Sequence, residues 1–553
     1  MKWPSHTILV MATHPIFPRT IVADRVPHIT PGKRLSINPP DPTHIDTSRK
    51  IVAIQNTARA LGWTSTPDWP LSWRIMILLN ISFYNMMGNI FTSGIPPLFS
   101  LLIEDFHCSA NEAAHLTTYA LLMLGLANCW AVPVVEYLGK RYTILISMAV
   151  FLAANIWAAT AQSYSSLRAT RFLGGISGGA IEALGPLIVS ECFSEGQLAS
   201  AMVVYVGFLA AGSSIGPIVA GGIASGLHSW RWFFIVTSIA TGINLVSCIL
   251  MLPSTSHTVD NCTSDDATQQ IKSTGTVNQA EFVTPSTDNE TRLSENLWKL
   301  WIRQSFSLRT DRVGHKENPL RLFIRPFPML LVPEVLVTTL VFGLTIGWVV
   351  VTSVLVSTLF AMPPNLWPSW KIGFLNFGPL VGLVIGLPVG GAVADLLSRR
   401  ATKNSDGEHD PRSRLPLVLL GALLSPTGCV IIGWSLNKDL LWAGTTVGWG
   451  LLAFGLTSSA NILLTYCVDS HRSRAMDVGV LVNVIKNTIG FGVSYAAIDW
   501  RSKSGAEAQY GTMAGILWAF YLLVIPLYFF RDSLRKITAR NFAHMTDAVV
   551  ITP

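Results

Sequence analysis

Residues 132–141 read VPVVEYLGKR, and residues 391–400 read GAVADLLSRR. Each decapeptide carries an acid at its fifth position and ends on a basic pair. Two copies of one pattern, far apart in the chain, imply a duplicated unit. Around each copy the sequence is apolar. Half of the 553 residues are hydrophobic and only 13% are charged, with a mean hydropathy of +0.44, outside the usage of an average soluble domain.

The apolar residues gather in runs long enough to cross a hydrocarbon core of about 30 Å. Twelve are expected, near 75–98, 115–136, 142–161, 168–190, 199–224, 231–252, 329–354, 371–396, 415–435, 441–466, 475–497 and 510–530. They are continuous rather than alternating, so helices are expected and a β-barrel is not. The fold class that follows is an all-α membrane protein with twelve transmembrane helices in two pseudo-symmetric six-helix halves. The boundaries are a disordered tail over 1–72, a first bundle over 73–253, a polar central loop over 254–327, a second bundle over 328–530 and a tail over 531–553. The end of the central loop, LSENLWKLWIRQSF (293–306), has apolar residues at helical spacing and is expected to lie along the membrane surface.

The formal net charge of +7 does not point to nucleic acid, because of where the charges sit. With the N-terminus in the cytosol, 31 of the 39 Lys and Arg residues fall in inner segments, six in outer loops, and Arg171 and Lys486 inside spans. That asymmetry predicts cytosolic termini. The stretch TILVMA (7–12) is too short for a signal peptide. The seven cysteines, with Cys108 alone in an expected outer loop, form no disulfide framework or metal spacing, and the twelve histidines form no ligand pattern. No cofactor or metal is implied. The sequons at Asn80, Asn261 and Asn289 fall in a span or on the cytosolic side, where glycosylation is not expected.

The repeated decapeptide resembles the loop 2–3 and loop 8–9 signature of the major facilitator superfamily, roughly G-x-x-x-[DE]-[RK]-x-G-[RK]-[RK]. Val132, Tyr137, Leu396 and Ser398 depart from it. The resemblance implies a conformational gate formed by Glu136, Lys140 and Arg141 in one half and Asp395, Arg399 and Arg400 in the other. GFLAAGSSIGPIVAGG (207–222) resembles the family's antiporter signature. There Gly216-Pro217 permits a helix bend, and Gly212, Gly221 and Gly222 allow close helix approach. DWPLSWR (68–74), FGPLVGLVIG (377–386), YCVDSHR (466–472) and VNVIKNTIGFG (482–492) are similar to fungal drug:proton antiporters and permeases of the histidinol and polyamine type. The likeness covers residues 66–530. SECFSEGQ (190–197) departs from it, since relatives usually carry an Asp, a His-Glu and an Arg-Gly there.

RFLGGISGGAIEALGP (171–186) places two charges where charge is most expensive. At 100° per residue, Arg171, Gly175, Gly178 and Glu182 fall within about 60° of one another, on one stripe. The expectation is that Arg171 and Glu182 border an aqueous cavity. Glu182 would exchange a proton and Arg171 would tune it, a role the family likeness also implies for this arginine. The competing reading is that each is paired with other polar groups and only fixes helix packing. In the second half Lys486 lies between Asn483 and Asn487, poised either to neutralise Glu182 across the two halves or to bind an anionic group. Asn85 and Asn89 are expected to line the cavity from span 1; interhelical hydrogen bonding is the equal alternative. Glu334 and Asp395 sit near expected cytosolic ends as caps or gates.

GISGG (175–179) fits the hydrolase pattern G-x-S-x-G, but that motif needs a strand–turn–helix and a histidine partner. Its glycines suit helix contact instead, as do Gly378, Gly382, Gly386 and Gly390, four apart in span 8. The sequence therefore predicts no enzyme but a cell-membrane carrier, acting as a monomer on a small-molecule substrate and protons. Export of a secondary metabolite or drug by proton antiport is the first expectation. Uptake of a polyamine or another organic cation is the second, and a non-transporting sensor is a remote third. A membrane acyltransferase is disfavoured because no histidine begins an H-x4-D.

Overall fold

The computed structural model describes residues 70–193, 195–252, 318–363, 365–394, 396–397, 400, 411–438, 442–471 and 474–530. Twelve helices among them are long and apolar enough to cross a membrane. Spans 1–6 are Leu71–Phe106, Ala110–Leu138, Lys140–Ala159, Tyr164–Cys192, Ala201–Leu227 and Arg231–Met251. Spans 7–12 are Pro333–Ala361, Ser369–Val393, Ser413–Asn437, Trp442–Val468, Met476–Tyr495 and Ala497–Phe529. The tails and most of the central loop, including 293–306, Asn261 and Asn289, lie outside the described residues.

Local chemistry sets several ends. Span 2 begins in a capping box, with Ser109 and Glu112 each bonding the other's backbone N–H. It stops at Gly139, whose φ of +80° opens the turn into span 3, a region that disfavours a side chain. Span 12 starts earlier than the apolar run suggests. Residues from Ala497 are already helical, and Gly505, at φ +80° and ψ +163°, breaks the helix before the apolar part. Arg501 and Lys503, expected in a loop, are on that first helical piece. The charged residues hid it, because they make the segment polar without preventing a helix.

Two buried clusters form the interior. One draws its residues from Ile77 to Leu252, joined by Val354. The other runs from Met329 to Leu527. Close glycine contacts bring helices together in each. Span 4 meets span 1 at Gly178 and Gly88, and span 2 at Gly175, where an added Cβ would stand 2.7 Å from the Ala120 carbonyl oxygen. In the second half Gly378, Gly382, Gly386 and Gly390 all face span 10. A Cβ on Gly390 would meet the Thr457 carbonyl at 2.6 Å. There the π-helical turns Val389–Val393 and Leu456–Ala460 lie against each other, a local departure that often marks functional segments.

The halves meet along two antiparallel seams. Spans 5 and 8 pair through Gly221 on Gly373, Gly207 on Leu387 and Val203 on Gly391. Spans 2 and 11 pair through His115 on Tyr495, Tyr119 on Phe491, Gly125 on Asn487 and a small cluster of Cys129, Val132, Val480 and Val484. Span 5 is one continuous helix through Pro217. Gly212 and Gly216 seat it on span 1 and Gly221 on span 8, whereas Gly222 faces open space and serves no close approach.

Candidate functional site

Glu182 lies in the middle of span 4, only 4% exposed, and turns toward span 11. Its Oε2 accepts a hydrogen bond from Asn487 Nδ2 at 3.3 Å, and the Nζ of Lys486 stands 3.8 Å from Oε1. Asn483 Nδ2 reaches the Glu182 carbonyl oxygen and Asn128 Oδ1, each at 3.5 Å. Span 11 can come this close because Gly125 and Gly343 flank it without side chains. A Cβ on Gly125 would be 2.6 Å from Asn487 Cβ, and one on Gly343 would be 3.2 Å from Lys486 Cα. The ring of Phe342 lies 5.1 Å from the ammonium, on span 7. Five polar residues from three helices thus occupy the seam, with apolar packing toward the loop 2–3 end and aromatic packing toward the other.

A buried acid and a buried lysine compensate each other, whereas either alone would be strongly unfavourable in lipid. The long separation and the open oxygen of Asn487, which is fully buried with no partner for Oδ1, leave this polar group incompletely satisfied. Such a site can change partners.

Arg171 is treated differently. It is fully buried, and its guanidinium donates to three backbone carbonyls: Leu116 at 3.0 Å, Phe91 at 2.6 Å and Thr92 at 3.2 Å. The Phe91 ring lies 3.9 Å beneath it. Among the described residues no carboxylate pairs with it. Arg171 and Glu182 share a helix but not an environment: the first ties span 4 to spans 1 and 2, and the second faces the opposite half. The helical stripe on which both were placed does not continue into one pocket, because neighbouring helices cover its two ends separately.

Asn85 and Asn89 are not joined to the Glu182 group by any hydrogen bond among the described residues. Asn89 donates to the Asn85 carbonyl at 3.0 Å and packs near Gly212 of span 5. Asn85 is fully buried with neither amide atom partnered.

At the loop 2–3 end, Lys140 pairs with Glu191 and Arg141 Nη2 donates to the Ile249 carbonyl at 3.2 Å, so the basic pair holds the ends of spans 4 and 6. Glu136 is half-buried nearby. Glu191 belongs to the unusual SECFSEGQ segment. Its Phe193 lies under Arg74, which also donates to Gln197 at 3.1 Å. The departure from the family pattern therefore supplies its own partners. In the second half Asp395 and Arg399 lie outside the described residues, and Arg400 is exposed.

Two residues of the site, Asn128 and Phe342, were missed. Asn128 was visible as a polar residue inside an apolar run but has no helical partner to single it out. Phe342 gave no signal. Glu334, in the first turn of span 7, is buried against Tyr466 Oη at 3.2 Å and His471 Nε2 at 3.3 Å, which gathers the YCVDSHR segment onto it. Ser177, the nucleophile of the hydrolase pattern, sits mid-helix and donates to the Leu173 carbonyl at 2.8 Å.

Comparison with known proteins agrees with this architecture. Residues 78–494 match the family described as the Major Facilitator Superfamily. The chain is 24% identical over 453 residues to the uncharacterized MFS-type transporter C1271.10c of Schizosaccharomyces pombe, covering 76% of this chain and 77% of that one. It is 24% identical over 443 residues to the MFS transporter cpaT of Aspergillus oryzae, covering 78% and 80%. The crystal structure of the human organic anion transporter MFSD10 shares the fold, with a TM-score of 0.53 at 15% identity, over 82% of this chain and 100% of that chain. With the family match spanning most of its length, this chain belongs to the Major Facilitator Superfamily and is a multi-pass secondary transporter of that type.

Proposed function

We propose that the protein is a proton-coupled carrier that exports a small organic metabolite or drug across the cell membrane by alternating access. The observation that carries this reading is Glu182, a buried acid on the first half held by Lys486 and Asn487 of the second. Protonation of Glu182 removes its attraction for Lys486 and so changes the energy of the seam between the halves. Export follows the resemblance of span 5 to antiporters. In this reading the chain acts as a monomer with both termini in the cytosol. Arg171 acts as a positioning residue that holds span 4, and with it Glu182, in register.

The second reading, uptake of an organic cation, is disfavoured by one contact: Lys486 already stands where a cation would bind Glu182. The test uses inside-out vesicles with an imposed pH gradient and a panel of candidate solutes. Wild type should accumulate its cargo in response to the gradient, and Glu182→Gln should not. Unchanged gradient-driven flux in Glu182→Gln would remove Glu182 from the mechanism.

A further inference from the structure

We infer that the cargo presents an anionic group, such as a carboxylate, that takes Lys486 when Glu182 is protonated, so that the organic anion and the proton cross together. This rests on the proposed function's assignment of Glu182 as the proton site and keeps its outward direction, but it replaces antiport with co-crossing. It reverses one sequence expectation, the exchange of cargo for protons.

The argument is one of charge balance inside the bundle. The central buried ions are Arg171, Glu182 and Lys486. Arg171 has carbonyls and a ring as partners, so its positive charge is not cancelled by an acid among the described residues. Glu182 and Lys486 cancel each other. Around these three residues the centre of the bundle therefore carries a net positive charge with the pair intact, and a larger one when Glu182 is protonated. A cationic cargo would add to that excess in every protonation state. An anionic cargo relieves it, and most when Glu182 is neutral.

The donor set fits the same conclusion. Among the described residues the Lys486 ammonium has only the distant Glu182 oxygen and the Phe342 ring beside it, and makes no hydrogen bond to an acceptor. Asn487 offers an unused Oδ1 to a cargo hydroxyl or amide. Other ionisable groups on the packed elements are engaged elsewhere. Tyr205 of span 5 donates to the Ile181 carbonyl at 2.8 Å. His115 of span 2 stacks on Tyr495, with Glu112 held in its capping box. Glu334 of span 7 is with His471, Asp477 of span 11 pairs with Arg325 at 3.0 Å, and Asp499 of span 12 accepts from Asn111. Glu182 is thus the acid whose protonation frees Lys486.

Two combinations keep the pair's neighbourhood neutral while the seam is closed on both sides: ionised Glu182 with Lys486 and no cargo, or protonated Glu182 with Lys486 and an anion. These are the empty and loaded forms of a carrier that moves acid and proton together. A metabolite acid made inside the cell would leave down its own gradient with its proton.

The experiment uses the full chain in nanodiscs, with matched probes: benzoate and indole-3-acetate against benzylamine and tryptamine. Binding is followed as a thermal shift at mildly acidic and at neutral pH. The acids should raise the melting temperature and the amines should not, with an apparent affinity for acids roughly tenfold higher at acidic pH, a coupling of ordinary size for two linked sites. Lys486→Met should abolish the acid response and Lys486→Arg should retain it. Glu182→Gln should bind acids without pH dependence. Acid binding that survives Lys486→Met, a response to amines, or no acid-specific response at all would overturn the anion site. Acid binding that depends on Lys486 but keeps its pH dependence in Glu182→Gln would overturn the co-crossing and the proton reading, and would leave the anion site standing.

Discussion

Lys486 Nζ lies 3.8 Å from Glu182 Oε1, and this pair links span 4 of one half to span 11 of the other. Both side chains are almost fully buried, so each is the other's main compensation in a medium where an unpaired ion is strongly disfavoured. The Lys486→Met variant should therefore lose about 3 kcal/mol or more of stability, as expected when one partner of a buried pair is removed. The double variant Glu182→Gln, Lys486→Met should recover much of that loss. Thermal unfolding of the three variants measures the coupling; additive losses would mean that the two charges do not compensate each other.

Arg171 separates a positioning role from a proton-exchanging one. Its three carbonyl bonds and ring contact need the planar guanidinium. The substitution Arg171→Lys should cost about 2 kcal/mol, because a point-like ammonium satisfies fewer acceptors. Transport by the surviving fraction should keep the wild-type pH profile. A displaced profile would show that the arginine takes part in coupling.

Glycines that look alike in sequence should respond in opposite ways. Gly390→Val puts a side chain onto the span 10 backbone at Thr457 and Ser458, and should lower the yield of folded protein severely, since backbone cannot move aside. Gly222→Ala meets nothing and should stabilise by up to about 1 kcal/mol through helix propensity. Fluorescence-detected size exclusion after heating distinguishes the two.

The aromatic end of the span 2–11 seam should open during transport. His115 and Tyr495 stack at 4.0 Å, and Asn111 donates to Asp499 at 2.9 Å. Cysteines introduced at 115 and 495 and joined by a short bifunctional reagent should stop flux, with recovery on cleavage of a reducible linker. Undiminished flux in the cross-linked protein would mean that this end never separates.

Topology can be read by thiol labelling. A cysteine introduced at Lys503 should react with an impermeant maleimide added outside intact cells. The native Cys108 should react slowly at neutral pH and faster as pH rises, because burial raises its pKa, with Glu112 adding to the effect. Labelling at 503 only after permeabilisation would invert the orientation.

The two halves could be read from sequence because their cause is local. Lipid requires every crossing segment to satisfy its own backbone, so each helix announces itself as a continuous apolar run, and the duplicated decapeptide marks the repeat. The exceptions show the same rule. Residues 497–504 are helical but charged, so no apolar run reports them, and the extension of span 1 to Phe106 follows a short 3-10 turn at Pro96–Leu98.

The site was legible only in part. Arg171, Glu182 and Lys486 stand out because charge inside an apolar run has few explanations. Their partners do not stand out, since a helix surface presents all its faces in sequence and only packing selects one. The pairing of Glu182 with Lys486 was one of two futures open to that lysine, and separate partners for Arg171 and Glu182 were the competing reading to a shared cavity, with nothing in the sequence to name those of Arg171. Sequence alone determined that this chain crosses a membrane twelve times as two related halves and places Arg171, Glu182 and Lys486 deep within its apolar runs, because burial in lipid is a property of each segment. Which of those charges meet was decided by tertiary structure, because contact between helices far apart in the chain depends on where small residues such as Gly125 and Gly343 let backbones approach.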